Sequence, residues 1–119
     1  MNRYGRPLSE WNHAIEEARA TLREVARTGN TISYSDLTAR IAAVSFEPNE
    51  YAFHAFLGEI SADEDDAGRG LMTVLVVHKE GDGMPGAGWF QLAKDRGRDV
   101  SNKERCWIEE RNKVYDAWK

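Results

Sequence analysis

The stretch from Leu71 to Phe90 constrains the fold most, because a long apolar run passes directly into a glycine-rich loop. The run LMTVLVV precedes His78 and would place mostly apolar side chains on both faces of an extended chain. Such a strand is typically covered on both sides. The loop from Gly81 to Gly88 is too long for a tight turn, so we expect either a mobile flap or a backbone that another group approaches closely. We predict a β-hairpin whose second strand runs from Gly88 to Leu92.

The size and composition of the chain are those of one soluble globular domain. With 119 residues, 41% apolar and 30% charged, residues 1–119 can bury a single core without disulfides or metals. No apolar segment is long enough to span a bilayer, and the opening MNRYGRPLSEWN lacks the apolar core of a secretion signal. We therefore expect a cytoplasmic protein without a membrane partner.

Metal and cofactor sites are not indicated by any motif. Cys106 is the only cysteine and the three histidines are scattered, so no zinc spacing occurs. The acidic run from Ala62 to Asp66 lacks the alternating ligands of a calcium loop, and the glycines of the loop before Trp89 do not match a nucleotide-binding motif. We expect no metal and no cofactor.

Two helices are predicted at the ends of the chain. Apolar residues recur at helical spacing over residues 10 to 28, where Ser9 can cap the helix and Gly29 can end it. A last helix is predicted from a Ser101 cap, with Glu104 completing a capping box.

A capping box gives the sharpest local signal in the middle of the chain. Ser33 and Asp36 have the required spacing, and Ile32 and Leu37 occupy the positions of a hydrophobic staple. We predict a short helix of about eight residues from Tyr34.

A third helix is predicted over residues 48 to 61, because Pro48 pre-sets a first turn and an apolar stripe follows. The acidic run from Ala62 to Asp66 should be a solvated, mobile connection. Helices packed with one hairpin form an α+β fold. We predict a winged helix-turn-helix, in which a C-terminal helix packs on a three-helix core and the hairpin is a two-stranded wing.

DNA contacts are predicted from the third helix and from the region of the wing. In a helix-turn-helix the third helix is the recognition helix, and its Asn49 and His54 could meet base edges. Glu50 and Glu59 on the same helix and the net charge of −4 oppose phosphate contact. A basic segment follows the wing, although acidic residues interleave it. The predicted nucleic-acid-binding residues are Asn49, His54, His78, Lys79, Lys94, Arg96 and Arg98.

Three segments of the chain occur in an informative order: ISYSDLTARI begins at Ile32, HAFLG at His54 and VVHK at Val76. In order and pattern they resemble the winged-helix domain of alkylguanine DNA alkyltransferases and their alkyltransferase-like relatives, and more broadly small winged-helix proteins of bacteria and phages. The resemblance implies a DNA-binding frame. Val77 stands where the family carries its reactive cysteine, so alkyl transfer to that position is excluded. His54 is the nearest match to the family's arginine that fills the gap left by a flipped base.

The recognition helix of that family is rich in small residues and binds the minor groove. Phe53 and Phe56 of the present chain are bulky, and Glu50 and Glu59 are acidic. The sequence therefore departs from the family at this helix as well as at the reactive cysteine.

Three functions follow as hypotheses. The first is a non-enzymatic DNA-binding regulator or accessory factor. The second is a protein-interaction module on the same frame, with the acidic run and an exposed tip containing Met84 and Trp89 as docking surface. The third is an enzyme centred on His78, which would need a neighbouring pocket and a carboxylate within hydrogen-bond reach.

Two aromatic residues and the cysteine of the last helix complete the expectations. Trp107 and Trp118 leave open a homodimer through this helix. Cys106 is expected to be a small core residue and not a nucleophile.

Overall fold

Five α-helices surround a buried central segment in the computed structural model, which describes residues 1–119. The α+β class is confirmed. In chain order the elements are β1 (Asn2–Arg3), β2 (Arg6–Pro7), α1 (Leu8–Arg27), β3 (Ile32–Ser33), α2 (Tyr34–Ala39), α3 (Tyr51–Asp66), a 3₁₀ helix (Met72–Leu75), β4 (Val76–Val77), α4 (Ala87–Asp95) and α5 (Lys103–Trp118).

The central segment from Leu71 to Val77 is buried along its whole length, as its apolar pattern predicts. Its backbone differs from the prediction, because the first part forms the 3₁₀ helix and only β4 is extended. This strand pairs with β3 in parallel, with Ile32 opposite Val76. The central segment is therefore hydrogen-bonded to a distant part of the chain and not to the residues that follow its loop.

The predicted hairpin is wrong, since residues 87–95 form α4. Trp89, Phe90 and Ala93 are the buried residues of this helix, and their spacing places them on one helical face. An aromatic pair followed three residues later by a small apolar residue fits a buried helical stripe better than an alternating strand. The residues after the glycine-rich loop consequently cover the core as a helix, and no two-stranded wing forms there.

The helix predicted over residues 10 to 28 and the short helix predicted from Tyr34 are both present, as α1 and α2. α1 ends as expected before Gly29, which has a φ of +68°. Its N-cap is Pro7, two residues earlier than predicted, so Ser9 lies inside the helix. The Ser33 cap is confirmed, because its Oγ accepts a hydrogen bond from the Asp36 backbone N–H at 3.1 Å. α2 is shorter than predicted and ends at Ala39.

The acidic run was expected to be a mobile connection, and this expectation is wrong. α3 begins at Tyr51 and continues through the run to Asp66. The helix persists because three of the acidic side chains have arginine partners: Glu64 is fully buried against Arg19, Asp65 binds Arg98, and Asp66 binds Arg96. Asp63 is exposed, as acidic residues of a solvated helix face are.

The cap of the last helix lies one residue later than predicted. Asn102, and not Ser101, is the cap, and its side chain accepts a hydrogen bond from the Arg105 backbone N–H. Cys106 is buried, as expected, and burial raises the pKa of its thiol. Trp107 and Trp118 are partly buried against the core.

No helix is sufficiently long and apolar to cross a membrane.

Candidate functional site

A pocket of about 390 Å³ opens between α2, α3 and α4. We call it the α3–α4 pocket. Aromatic and small residues form most of its lining. Its lining includes Tyr34, Tyr51, His54, Gly58, Trp89 and Asp95.

Three rings meet beside this pocket, and we call Tyr34, His54 and His78 the aromatic triad. The Tyr34 ring centroid lies 5.9 Å from that of His54 and 5.2 Å from that of His78. Each residue comes from a different element: Tyr34 begins α2, His54 lies on the first turn of α3, and His78 follows β4. The parallel pairing of β3 with β4 brings Tyr34 and His78 together, because each residue directly follows one of the paired strands.

The Tyr34 hydroxyl is fixed by the glycine-rich loop. It accepts a hydrogen bond from the Gly86 backbone N–H at 2.9 Å. Burial raises the pKa of Tyr34 above its ordinary value, while the bond from Gly86 acts in the opposite direction. The hydroxyl is therefore neutral at pH 7 and keeps its own proton for donation to a ligand.

The loop from His78 to Gly86 is closed by backbone contacts. The His78 N–H donates to the Met84 carbonyl at 3.0 Å, and the Met84 N–H donates to Asp82 Oδ1 at 3.0 Å. A Cβ on Gly86 would lie 3.2 Å from His78 Nε2 and 3.3 Å from the Tyr34 hydroxyl. Of the two alternatives for this loop, the close approach is the one observed, and it occurs at Gly86.

The outward side of α3 carries small and aromatic side chains. Tyr51 is 75% exposed, His54 is exposed, and Ala55 and Gly58 are half-buried. The two bulky phenylalanines, Phe53 and Phe56, are fully buried in the core instead. The bulky residues of α3 are therefore turned inward, and Ala55 and Gly58 lie on its outward side.

The two glutamates of this region are held by the N-terminal strands. Glu50 forms an ion pair with Arg6 at 2.5 Å, and Glu59 forms one with Arg3 at 2.8 Å. Trp11 Nε1 also donates to Glu59 at 3.3 Å. Each carboxylate therefore has a cation beside it, which reduces the negative potential along α3.

Four of the predicted DNA-contacting residues lie at or near this face. His54 and His78 belong to the aromatic triad. Lys79 is exposed and forms an ion pair with Asp36 at 3.5 Å. Asn49 is exposed just before the first turn of α3. Lys94 is exposed on α4 and forms no ion pair.

Arg96 and Arg98 lie elsewhere, in what we call the carboxylate–arginine network. Arg98 binds Asp65 at 2.7 Å and Glu110 at 3.0 Å, and Arg96 binds Asp65 at 2.8 Å as well as Asp66. Arg98 and Arg96 hold the pKa of Asp65 well below its usual range. The members of this network are Asp65, Asp66, Arg96, Arg98 and Glu110, and Arg19, Glu64 and Arg69 form a separate cluster of ion pairs.

Glu110 joins the network to the central segment. It is buried on α5, and its Oε2 accepts a hydrogen bond from the Leu71 backbone N–H at 2.8 Å. The positive charges of Arg96 and Arg98 are therefore balanced by acidic side chains of the protein itself. The structure does not bring these two arginines together with the aromatic triad.

Two of the sequence hypotheses lose the feature on which they depend. His78 forms neither a hydrogen bond through its ring nor an ion pair with a carboxylate, although the enzyme hypothesis needs that partner. Trp89 and Phe90 are each only 6% exposed and Pro85 is buried, so no apolar tip is available for docking.

Sequence reasoning missed Tyr34, Tyr51 and Gly86 as site residues. Tyr34 was recognised only as the start of a helix, and Tyr51 was not assigned a role. A signal for Gly86 was present, because a Pro-Gly pair often marks a backbone that must turn tightly.

A comparison of the chain with protein-family models, curated proteins and solved structures finds no match.

Proposed function

We propose that this protein binds DNA through the outward side of α3 and the loop from His78 to Gly86, as a non-enzymatic regulator or accessory factor. In this proposal the domain has a winged-helix-like arrangement, in which α2 and α3 act as the helix-turn-helix. The loop that closes on Tyr34 takes the place of a wing.

The observation that carries the proposal is the division of side chains around α3. Phe53 and Phe56 face the core, and Glu50 and Glu59 have arginine partners. Along the first two turns of α3 the side chains left outward are those of Tyr51, His54, Ala55 and Gly58, and the two small residues among them let the helix backbone approach a groove. A histidine and an asparagine at such a position can reach base edges.

The cations near this side favour weak, salt-dependent contact with phosphates. The ion pair between Lys79 and Asp36 is exposed on both sides, and such pairs contribute little to stability. Lys79 can therefore exchange Asp36 for a phosphate at small cost. The net charge of −4 limits long-range attraction, so binding should be strongest at low salt.

The resemblance to alkyltransferase-like proteins supports the same proposal and restricts its chemistry. Val77 is buried at the position of the family's reactive cysteine, and the only thiol, Cys106, is buried in α5. With no thiol in the aromatic triad, binding without covalent transfer is the function that the site favours.

A fluorescence-anisotropy titration of labelled duplex DNA at two salt concentrations tests the proposal. Lys79→Glu should weaken binding about tenfold and reduce the dependence on salt, because one phosphate contact becomes repulsive. Lys113→Glu is the matched control, since Lys113 is exposed on α5 beside Gly70 and should bind as the wild type does. Absence of binding at low salt would contradict the proposal and direct attention to a protein partner.

A further inference from the structure

We infer that Tyr4 and Tyr51 form a stacking site for an unpaired base, so that the protein prefers DNA with a single-stranded end to a blunt duplex. This inference rests on the proposed function and adds the form of DNA that is recognised. It adds Tyr4, from the turn between the N-terminal strands, to Tyr51 at the start of α3.

The backbone at Tyr4 is the first observation. β1 and β2 pair in an antiparallel hairpin, with Arg3 opposite Arg6, and the two residues between them both have positive φ: +51° at Tyr4 and +80° at Gly5. Two-residue turns of this kind favour asparagine or glycine. Tyr4 is the only residue of the chain other than glycine with a positive φ. A bulky residue in this conformation is strained, and such strain is often found at functional sites.

The exposed rings are the second observation. Tyr51 is 75% exposed and Tyr4 is 49% exposed. Their centroids lie 5.8 Å apart with the rings edge to face, and Tyr4 also lies 5.6 Å from Trp11. The pair is thus supported from below by a buried indole while parts of both rings remain open to solvent.

The ion pairs of the hairpin hold this aromatic pair next to α3. Arg3 reaches Glu59 and Arg6 reaches Glu50, so both strands are anchored to residues at or near the same helix. Tyr51 begins α3 and also lines the α3–α4 pocket. The stacking site is therefore continuous with the outward side that we propose to meet DNA.

An unpaired base fits this surface better than a protein partner or a second copy of the chain. Two tyrosines could bury at most about 500 Å² in a contact, whereas a stable protein interface needs about 1,000 Å². An aromatic ring stacks on any base whose face is open, and this adds affinity without sequence preference. Bases inside a duplex have both faces occupied by their neighbours, so an unpaired end offers the free face.

The test compares a blunt duplex, the same duplex with a short unpaired overhang, and the single strand, each labelled for anisotropy. The wild type should bind the overhang more tightly than the blunt duplex. Tyr51→Ala should remove that preference by weakening overhang binding about tenfold. Tyr51→Phe keeps the ring and should keep the preference.

Tyr4→Asn separates the ring from the fold, because asparagine suits the turn better than tyrosine. This variant should be at least as stable as the wild type and should still bind the overhang less tightly. A 2-aminopurine placed in the overhang should be quenched by the wild type and not by either ring-deletion variant.

Several results would overturn the inference. Equal binding of blunt and overhanging DNA, with no effect of Tyr51→Ala, would remove the stacking site and leave the proposed function intact if Lys79→Glu still weakens duplex binding. A concentration-dependent dimer that Tyr51→Ala abolishes, with DNA binding unchanged, would assign the surface to self-association. Absence of binding to all three DNAs would overturn both proposals.

Discussion

The two ends of α3 use polar side chains in opposite ways. At its C-terminal end, Glu64 and Asp65 are paired with arginines from α1 and from the segment after α4. At its N-terminal end, His54 meets only the Tyr34 and Phe53 rings and remains exposed. Removing one partner of such a buried pair leaves an uncompensated charge, so these groups are fixed within the protein and have little left for a ligand. The exposed groups contribute little to stability and are available for binding.

The largest expected effect is the loss of Glu110 from the carboxylate–arginine network. Glu110→Ala should lower the free energy of unfolding by about 3–5 kcal/mol, because Arg98 loses a buried partner and the Leu71 N–H loses its acceptor. Urea unfolding at pH 7 measures this. Glu109→Ala is the control, since Glu109 lies on the same helix in an exposed pair with Arg105 and should change stability little. A similar loss of unfolding free energy in Glu110→Ala and Glu109→Ala would show that the network does not stabilise the fold.

A smaller effect with a defined pH dependence is expected at Asp65. Because its pKa is lowered in the folded state, its contribution to stability is present above the pKa of the unfolded chain, near 4, and is lost as the pH falls below that value. Asp65→Asn should therefore cost about 2 kcal/mol at pH 7 and progressively less in acid. Urea unfolding at pH 7, 5 and 3 measures the difference. Asp63→Asn, on the exposed side of the same helix, should behave as the wild type, and a cost for Asp65→Asn that does not change with pH would argue against the charge as its cause.

The smallest effect on stability is expected at Gly86. It sharpens the comparison between the two ends of α3, because Gly86 supports the aromatic triad at the N-terminal end. Gly86→Ala should cost about 1 kcal/mol, because the new Cβ displaces His78 or Tyr34 by a few tenths of an ångström. DNA binding should fall with it, since the aromatic triad loses its arrangement. A Cβ on Gly88 meets no atom within 4 Å, and alanine is favoured over glycine in α4, so Gly88→Ala should not lower stability and should leave DNA binding unchanged. Thermal unfolding and anisotropy together test this pair, and equal DNA binding by the two variants would remove Gly86 from the site.

Local signals in the sequence predicted the parts of the fold that neighbouring residues determine. The apolar spacing of α1, the Ser33 cap and the burial of the segment from Leu71 to Val77 are each encoded within about one or two turns of chain. The continuous apolar run that suggested a strand of a hairpin was equally compatible with burial in another backbone conformation, so burial was predicted correctly and backbone conformation was not. The backbone conformation is decided by the rest of the fold, because β4 pairs in parallel with β3.

The features that the sequence could not supply are those formed by distant residues. Glu64 lies in an acidic run that looks solvated, and its partner Arg19 comes from a different helix. Arg96 and Arg98 look like a phosphate-binding cluster in the sequence. Their carboxylate partners, like the arginine partner of Glu64, are distant in sequence and become neighbours only in the fold. A charged residue is visible in a sequence, whereas the residue that neutralises it is defined only by tertiary packing.

The bond between Tyr34 and Gly86 also determines when, during synthesis, the site can exist. Tyr34 emerges from the ribosome early, but the backbone group that fixes its hydroxyl is added only after α3 and β4. A nascent chain that ends before residue 86 has α1, α2 and α3 but lacks the N–H that holds Tyr34. The strands that align Tyr34 with His78 must likewise wait for Val76. A partially translated chain therefore cannot assemble the aromatic triad with a fixed Tyr34 hydroxyl before Gly86 has been added.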